Sequence, residues 1–440
     1  VKKFIQVPLI LSLALTSALS FAQVHETIVE LPAGNVPKKE FSKEQILDLE
    51  KRSDDFSGLP KIESVSADNP DGKLSETEKW PEGSWGRGYQ TWPNVKFYPQ
   101  NAYGHFWSCH PMIRDVACFI RGHIFLYLND KSLATSERLA KAGMDYLLDM
   151  QIKSGKNKGS FIWYLKRAGQ EDLNMEPPVN GVQPYETAYA LVAMSEYYTA
   201  EIEYRRDEVL TAINLSTSNL LKIKWAKDPS VGNSNLKALG IWSLSSSYRA
   251  TKNEKTYEQI LTITDILVTS QNIDSTAENG LWLTGGREKI DGREIHHDTK
   301  IYYHLMNIRG LLETFSITPD SDTENKWKLA DGIKRGVNHV ITQRLDLSNR
   351  QNYKLRYGCL NTAKEKLPDW FSHDLVDLDK VVETLVKLSY YSKNSPYFTS
   401  AEHESLKNLT NQVCLGLNET DVWYFSSISY YIYFMNEVSK

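Results

Sequence analysis

The sequence predicts an all-α protein, an α/α toroid built as an incomplete barrel of about six helical hairpins with an extended N-terminal arm. Three observations predict it. From Pro111 onward, apolar residues recur at three- and four-residue spacing in eleven successive segments, with almost none of the two-residue alternation of a half-buried strand. Three segments echo one another: "DYLLDMQIKSGKNKGSFIWYL" (145–165), "DILVTSQNIDSTAENGLWLTG" (265–285) and, more loosely, "NHVITQRLDLSNRQNYKLRYG" (338–358). Each ends a helix at a glutamine, Gln151, Gln271 or Gln343, and the first two reach a glycine and a tryptophan within about a dozen residues. Finally, many of the 11 tryptophans and 24 tyrosines fall in loops and helix entrances, where their rings either plug the ends of a helical ring or present faces at a cleft on which sugar rings stack. Trp80, Trp85, Tyr89, Trp92, Tyr98, Tyr103, Trp107, Trp163 and Trp282 are of this kind.

The elements follow in order. Residues 1–22 carry Lys2 and Lys3, an apolar run from Phe4 to Leu19 and a small-residue ending at Ser20 and Ala22, the pattern of a secretory signal peptide. A mature protein exported to the periplasm or beyond is expected, with no membrane span, because no later stretch approaches the roughly 20 apolar residues a spanning helix needs. Residues 23–84 are polar and rich in turn formers, an arm or linker with one helix near 41–52. The catalytic body occupies 85–440. Its helices are expected near 112–128, 133–152, 183–200, 205–222, 233–250, 253–271, 297–315, 325–343, 375–392, 399–415 and 422–437. An outer helix, a loop crossing one end and an inner helix, repeated around a ring, bring the inner-helix entrances together at a central cleft.

The formal charge is −4, and loss of Lys2 and Lys3 with the leader takes it to −6, which argues against a nucleic-acid partner. Four cysteines, Cys109, Cys118, Cys359 and Cys414, suit an oxidising compartment, and Cys109–Cys118 with Cys359–Cys414 is the preferred pairing of the three possible. No pair has the C-x2-C spacing of a zinc knuckle, so no metal or other cofactor is expected.

Four clusters carry possible chemistry. The segment "GREIHHDTKIYYHLMNIRGLLETF" (292–315) gathers Arg293, His297, Tyr302, Tyr303, His304 and Arg309, which together supply a base, an acid and cations. The stretch 84–110 adds Arg87, His105 and Trp107, groups that bind a polar chain. At 180–198, Tyr185 and Glu186 open a helical run, although Glu186 also simply suits a first helical turn. At 231–244, Asn233 and Asn235 stand at another entrance, where asparagine serves as cap or ligand. For any single histidine, a hydrogen-bonded structural role is the commoner one.

On "NSNLKALGIWSL", "IHHDTKIYYHLMNIRGLLE" and the hairpin repeat, residues 110–440 resemble the α/α-toroid polysaccharide lyases, above all the alginate-lyase type. The family has an Asn-Asn-His entrance where this chain has Asn233-Ser234-Asn235, so that histidine is missing here. The resemblance implies β-elimination on an acidic, uronate-containing polysaccharide by a monomeric enzyme. Tyr303 would be the proton shuttle with Tyr302 in reserve, and His297 or His304 the base. Arg293 with Asn233 or Asn235 would neutralise the carboxylate. Tyr185, Glu186, His105, Trp107, Arg87 and Arg309 would bind the polymer. A glycoside hydrolase would instead need two facing carboxyl groups, for which Glu186 and Asp298 are the candidates. A uronyl epimerase would use nearly the lyase's groups, and a non-catalytic carbohydrate-binding envelope protein would use only the aromatics.

Overall fold

A computed structural model describes residues 25–31, 36, 38–58, 60–64, 73–85, 111–161, 184–227, 232–273, 279–282, 287–290, 293–296, 300–346, 354–355, 378–415 and 425–439. Twelve α-helices lie among them: α1 Lys43–Asp55, α2 Ile113–Asn129, α3 Ala134–Met150, α4 Pro184–Thr199, α5 Arg206–Leu220, α6 Ser234–Thr251, α7 Glu254–Thr269, α8 Ile301–Ile317, α9 Thr323–His339, α10 Leu378–Ser392, α11 Ser400–Leu415 and α12 Phe425–Ser439. The even-numbered helices from α2 to α12 pack each on the next, and α12 returns to α2, closing an inner ring of six. The odd-numbered helices α3 to α11 each pack outside the inner helix before them. Alternation of inner and outer along the chain makes all inner helices run the same way. The fold is an α/α toroid, as the periodicity predicts.

Composition explains which helix goes where. Outer helices have one apolar stripe and a solvated face, whereas inner helices are buried almost all round. In α4 every residue from Glu186 to Ser195 is buried, and in α8 every residue from His304 to Phe315. Small residues let the inner helices approach closely: a Cβ on Gly310 of α8 would lie 2.9 Å from Ala238 of α6.

The glutamine repeat has a structural meaning. Gln151, at the end of α3, donates to Ala212 O and Ser216 Oγ of α5, each at 2.9 Å. Gln271, at the end of α7, donates to Gly332 O of α9 at 2.9 Å and to Gly280 O at 3.0 Å. Each amide thus ties one outer helix to the next. Each is followed by a left-handed glycine, Gly159 or Gly280, pressed against the backbone of that same neighbouring helix, and by a bridge from the glutamine to Phe161 or Trp282.

The N-terminal segment runs along the outside. His25 stacks on Trp327 of α9 at 3.7 Å, Ile28 N donates to Glu402 Oε1 of α11, and Lys39 N donates to Tyr431 Oη of α12. Helix α1, opened by a Ser42–Gln45 capping box, then packs on α3. It stands where a sixth outer helix belongs. Ser53 of α1 bonds the buried His123 of α2 at 2.8 Å, and Trp85 donates to Ser53 O at 2.9 Å.

Among the described residues three two-stranded ladders occur: β1 Pro60–Ser64 with β2 Lys73–Lys79, β3 Arg287–Ile290 with β4 Arg293–His296, and β5 Leu345–Asp346 with β6 Lys354–Leu355. The second revises the reading of 292–304. The helix expected to start near His297 starts at Ile301, and Arg293 lies in β4, in register with Ile290. Between them in sequence, Asp291-Gly292 is the signature of a two-residue hairpin connection. Cys414 is a free, buried thiol, so the expected Cys359–Cys414 bridge is not formed, while Cys109, the partner expected for Cys118, lies outside the described residues.

Candidate functional site at the inner-helix entrances

The inner helices share one physical device. Residues seven apart on an α-helix differ by about 20° in direction, so polar side chains at that spacing line one stripe. Such stripes face the ring axis: Arg114 and Arg121 on α2, Tyr189 and Glu196 on α4, Asn235, Trp242 and Arg249 on α6, and Tyr302 and Arg309 with Glu313 on α8. Deep contacts fix the direction. The Arg121 guanidinium meets Glu196 at 2.6 Å and Glu383 of α10 at 2.9 Å, and lies 4.7 Å from the Trp242 ring. Arg309 lies 4.5 Å from the same Trp242 ring and pairs with Glu313, which also holds Arg249 and Lys387. Tyr430 of α12 bonds Arg309 at 3.3 Å. All six inner helices therefore meet in one charged floor.

The floor is electrostatically closed. Burial alone would raise the Glu313 carboxyl, but Arg249, Lys387 and Arg309 hold it well below the usual range. Burial opposes the Arg121 charge too, and Glu196 and Glu383 outweigh it. Lys387 is the group that gives way, lowered to about 7 by burial and then by Arg309. Tyr430 is pushed up by burial and stays a phenol.

Two turns toward the helix N-termini, about 10 Å at 1.5 Å per residue, the stripes reach their entrances. Arg114 and Glu186 clip α2 to α4 there: Arg114 N donates to Glu186 Oε2 at 2.8 Å, and its guanidinium stands 3.7 Å from Oε1. A line of contacts descends from this point. Arg114 lies 5.4 Å from the Tyr185 ring, Tyr185 lies 5.0 Å from Tyr189, and Tyr189 lies 6.0 Å from Trp242. Burial, then Tyr185, pushes the Tyr189 phenol well above its ordinary value, so it donates and does not act as a base. Across the ring, Asn307 Nδ2 donates to Ser234 Oγ at 2.8 Å, joining α8 to the first residue of α6. The amide oxygens of Asn235 and Asn307 are buried and accept no hydrogen bond from the described residues.

The expected residues fall as follows. Asn235 is buried on the axial stripe of α6, and Asn233 is the half-buried N-cap position of that helix, with no side-chain cap bond. Tyr185 and Glu186 sit at the α4 entrance as described, Glu186 being buried and engaged by Arg114. Tyr302 and Tyr303 are both half-buried, with ring centroids 4.1 Å apart. Only Tyr302 shares the stripe of Arg309 and Glu313. Tyr303 is about 100° away, in line with Gly310, which abuts Ala238 of α6. His304 points outward: fully buried, it bonds Gly336 O of α9 at 2.9 Å beside Trp282 and His339. Arg309 is expected on the cleft wall but is 2% exposed, with its charge taken up in the floor. Arg87, His105, Trp107, His297 and Asp298 lie outside the described residues, as does the side chain of Arg293.

Of the two roles open to the aromatic residues, Trp85 and Trp282 take the plugging one: they are fully buried, with indole N–H groups bonded to Ser53 O and Leu267 O. Sequence reading missed Arg114, Asn307 and the floor. The available signal was a polar residue every seven positions on helices otherwise too apolar to face water. Among the described residues there is no group of three or more His, Cys, Asp or Glu able to hold a metal ion, and no helix long and apolar enough to cross a membrane.

No family model and no curated protein matches the chain. Solved structures do match. The GH76A α-1,6-mannanase from Salegentibacter sp. HEL1_6 aligns over 90% of this chain and 99% of its own, at 12% identity and a TM-score of 0.50. An inactive variant of that mannanase, in complex with α-1,6-mannotriose, gives the same coverage and identity with a TM-score of 0.51. A polysaccharide lyase aligns over 73% of this chain and 89% of its own, at 10% identity and 0.45. The likeness to the mannanase, at 12% identity, is one of fold.

Proposed function

We propose that the protein is a polysaccharide lyase that cleaves a uronate-containing polymer at the inner-helix entrances by β-elimination. One observation carries this reading. Among the described residues, the axial entrance positions offer an amide and phenols (Asn235, Tyr185 and Tyr302) beside the Arg114 guanidinium, while the carboxylates there, Glu186 at the entrance and Glu196, Glu313 and Glu383 in the floor, are held in ion pairs. A glycosidase needs two carboxyl groups across the sugar, one of them protonated. An elimination needs a neutraliser for the substrate carboxylate and a group that moves protons.

Arg114 and the Asn235 amide supply the neutraliser, making the C5 proton acidic. Tyr302, axial and half-buried and entering as the phenolate, takes the C5 proton; the C5–H electron pair becomes the C4–C5 double bond as the C4–O4 bond breaks, and the phenol so formed returns that proton to the departing O4. The likeness to the mannanase structures makes hydrolysis the reading to exclude, with Glu186 as its carboxyl. The test is turnover of polymannuronate, followed by ultraviolet absorbance of unsaturated ends, in wild type, Tyr302→Phe and Glu186→Gln. Lyase chemistry predicts absorbance in wild type and at least about a hundredfold loss in Tyr302→Phe. Reducing ends without absorbance, abolished by Glu186→Gln, would establish a hydrolase instead.

A further inference from the structure

On the outer wall, away from the axis, a groove of about 430 Å³ runs between α3 and residues 80–82. Its lining includes Trp80, Glu82, Asp145, Tyr146 and Asp149, three carboxylates and two aromatic rings, with Arg138 paired to Glu82 and Arg205 to Asp145 at its edge. A shallower hollow of about 350 Å³ continues it past Glu82 and Asp145 to Tyr204.

Three features mark a built site. The groove wall is rigid, because Gly83 (φ +79°) lies against α3 so closely that a Cβ would stand 2.1 Å from Gly143 N, and Gly83 N donates to Ser57 Oγ at 2.7 Å. Tyr146 is only 5% exposed, yet its phenol oxygen is buried with no hydrogen-bond partner among the described residues, and burial holds it protonated. A buried phenol left unmet costs stability unless something occupies the space before it. Third, Asp145 and Asp149 flank Tyr146 one turn apart on α3, with Asp145 fixed by Tyr204 Oη at 3.0 Å and Arg205 at 2.7 Å.

We propose that this groove is a second carbohydrate site, one that binds a neutral pyranoside. Trp80 offers an apolar face for the C–H side of a sugar ring, and the carboxylates accept its hydroxyl protons. The same carboxylates repel a polyuronate, so this wall and the Arg114 entrance select opposite ligands. A polymer mixing neutral and acidic sugars engages both.

The test is calorimetric binding of mannotriose, cellotriose, xylotriose and trimannuronate to the intact protein, to Trp80→Ala and to Asp149→Asn. Asp149 is exposed, so its variant keeps the fold even if the tryptophan variant does not. At least one neutral trisaccharide binds the wild type, trimannuronate does not compete with it, and each substitution weakens it about tenfold. Turnover of a short acidic substrate is unchanged in Asp149→Asn, and this separates the groove from the entrance whatever reaction occurs there. The proposal is overturned if no neutral trisaccharide binds, if binding is unaffected by both substitutions, or if only an organic amine binds the groove.

Discussion

At the scale of single residues, direction on a helix decides function more than residue type does. Tyr302 and Tyr303 are chemically identical neighbours, and the axial stripe of Arg309 and Glu313 picks out Tyr302. Tyr302→Phe is therefore expected to lower kcat at least about a hundredfold with unchanged helical circular dichroism, and Tyr303→Phe to stay within a few-fold of wild type. The reverse ranking would restore Tyr303 as the shuttle. Arg309 shows the opposite case, a cation whose charge is spent inside. Removing one partner of a buried ion pair leaves the rest uncompensated and costs about 3–5 kcal/mol. Arg309→Met should accordingly appear as a lowered melting point by calorimetry; a fully stable variant with weakened polymer binding would return Arg309 to the cleft wall.

At the scale of elements, the two kinds of helix and their seams account for what was readable in the chain. The twelve helices were legible because each outer helix must show one apolar stripe, and the repeat was legible because two outer pairs, α3–α5 and α7–α9, share a glutamine clasp. Gln271→Ala removes both donors from Gly280 O and Gly332 O, and a cost of about 1–3 kcal/mol in chemical denaturation is expected. No measurable cost would leave the repeat without a structural role. The site was only half legible: Asn235, Tyr185 and Tyr302 stand out at helix entrances, but Arg114 and Asn307 look like ordinary helical residues until the ring brings their neighbours to them. His304 misled for a physical reason, since a histidine in a seam and one in a cleft occupy the same place in sequence.

The α1–α2 seam carries a pH prediction. His123, buried between Ser53 and Ser136, is lowered to about 3 by burial. Between pH 6.5 and 3 the unfolded chain binds a proton that the folded one excludes, so stability falls as pH falls through that window. Melting temperatures measured from pH 7 to 4 should decline, and His123→Gln should flatten the decline. An equal slope in both proteins would assign the acid sensitivity elsewhere.

At the scale of the whole molecule, the ring sorts charge by depth. Ion pairs among Arg121, Glu196, Glu383, Arg309, Glu313 and Lys387 seal the floor, an unengaged amide and a phenol occupy the entrance, and carboxylates dominate one outer groove. The N-terminal segment crosses α9, α11 and α12 before α1 takes the sixth outer place, so the ring is completed by the part of the chain that looks least structured in sequence. The central claim is that this arrangement removes a proton from a uronate and expels its neighbour. The most direct measurement is the ratio of unsaturated ends, by ultraviolet absorbance, to new reducing ends when the protein acts on polymannuronate, polyguluronate and glucuronan. Elimination predicts one unsaturated end for each reducing end on at least one of these polymers; reducing ends without absorbance, or no cleavage of any of them, would contradict it.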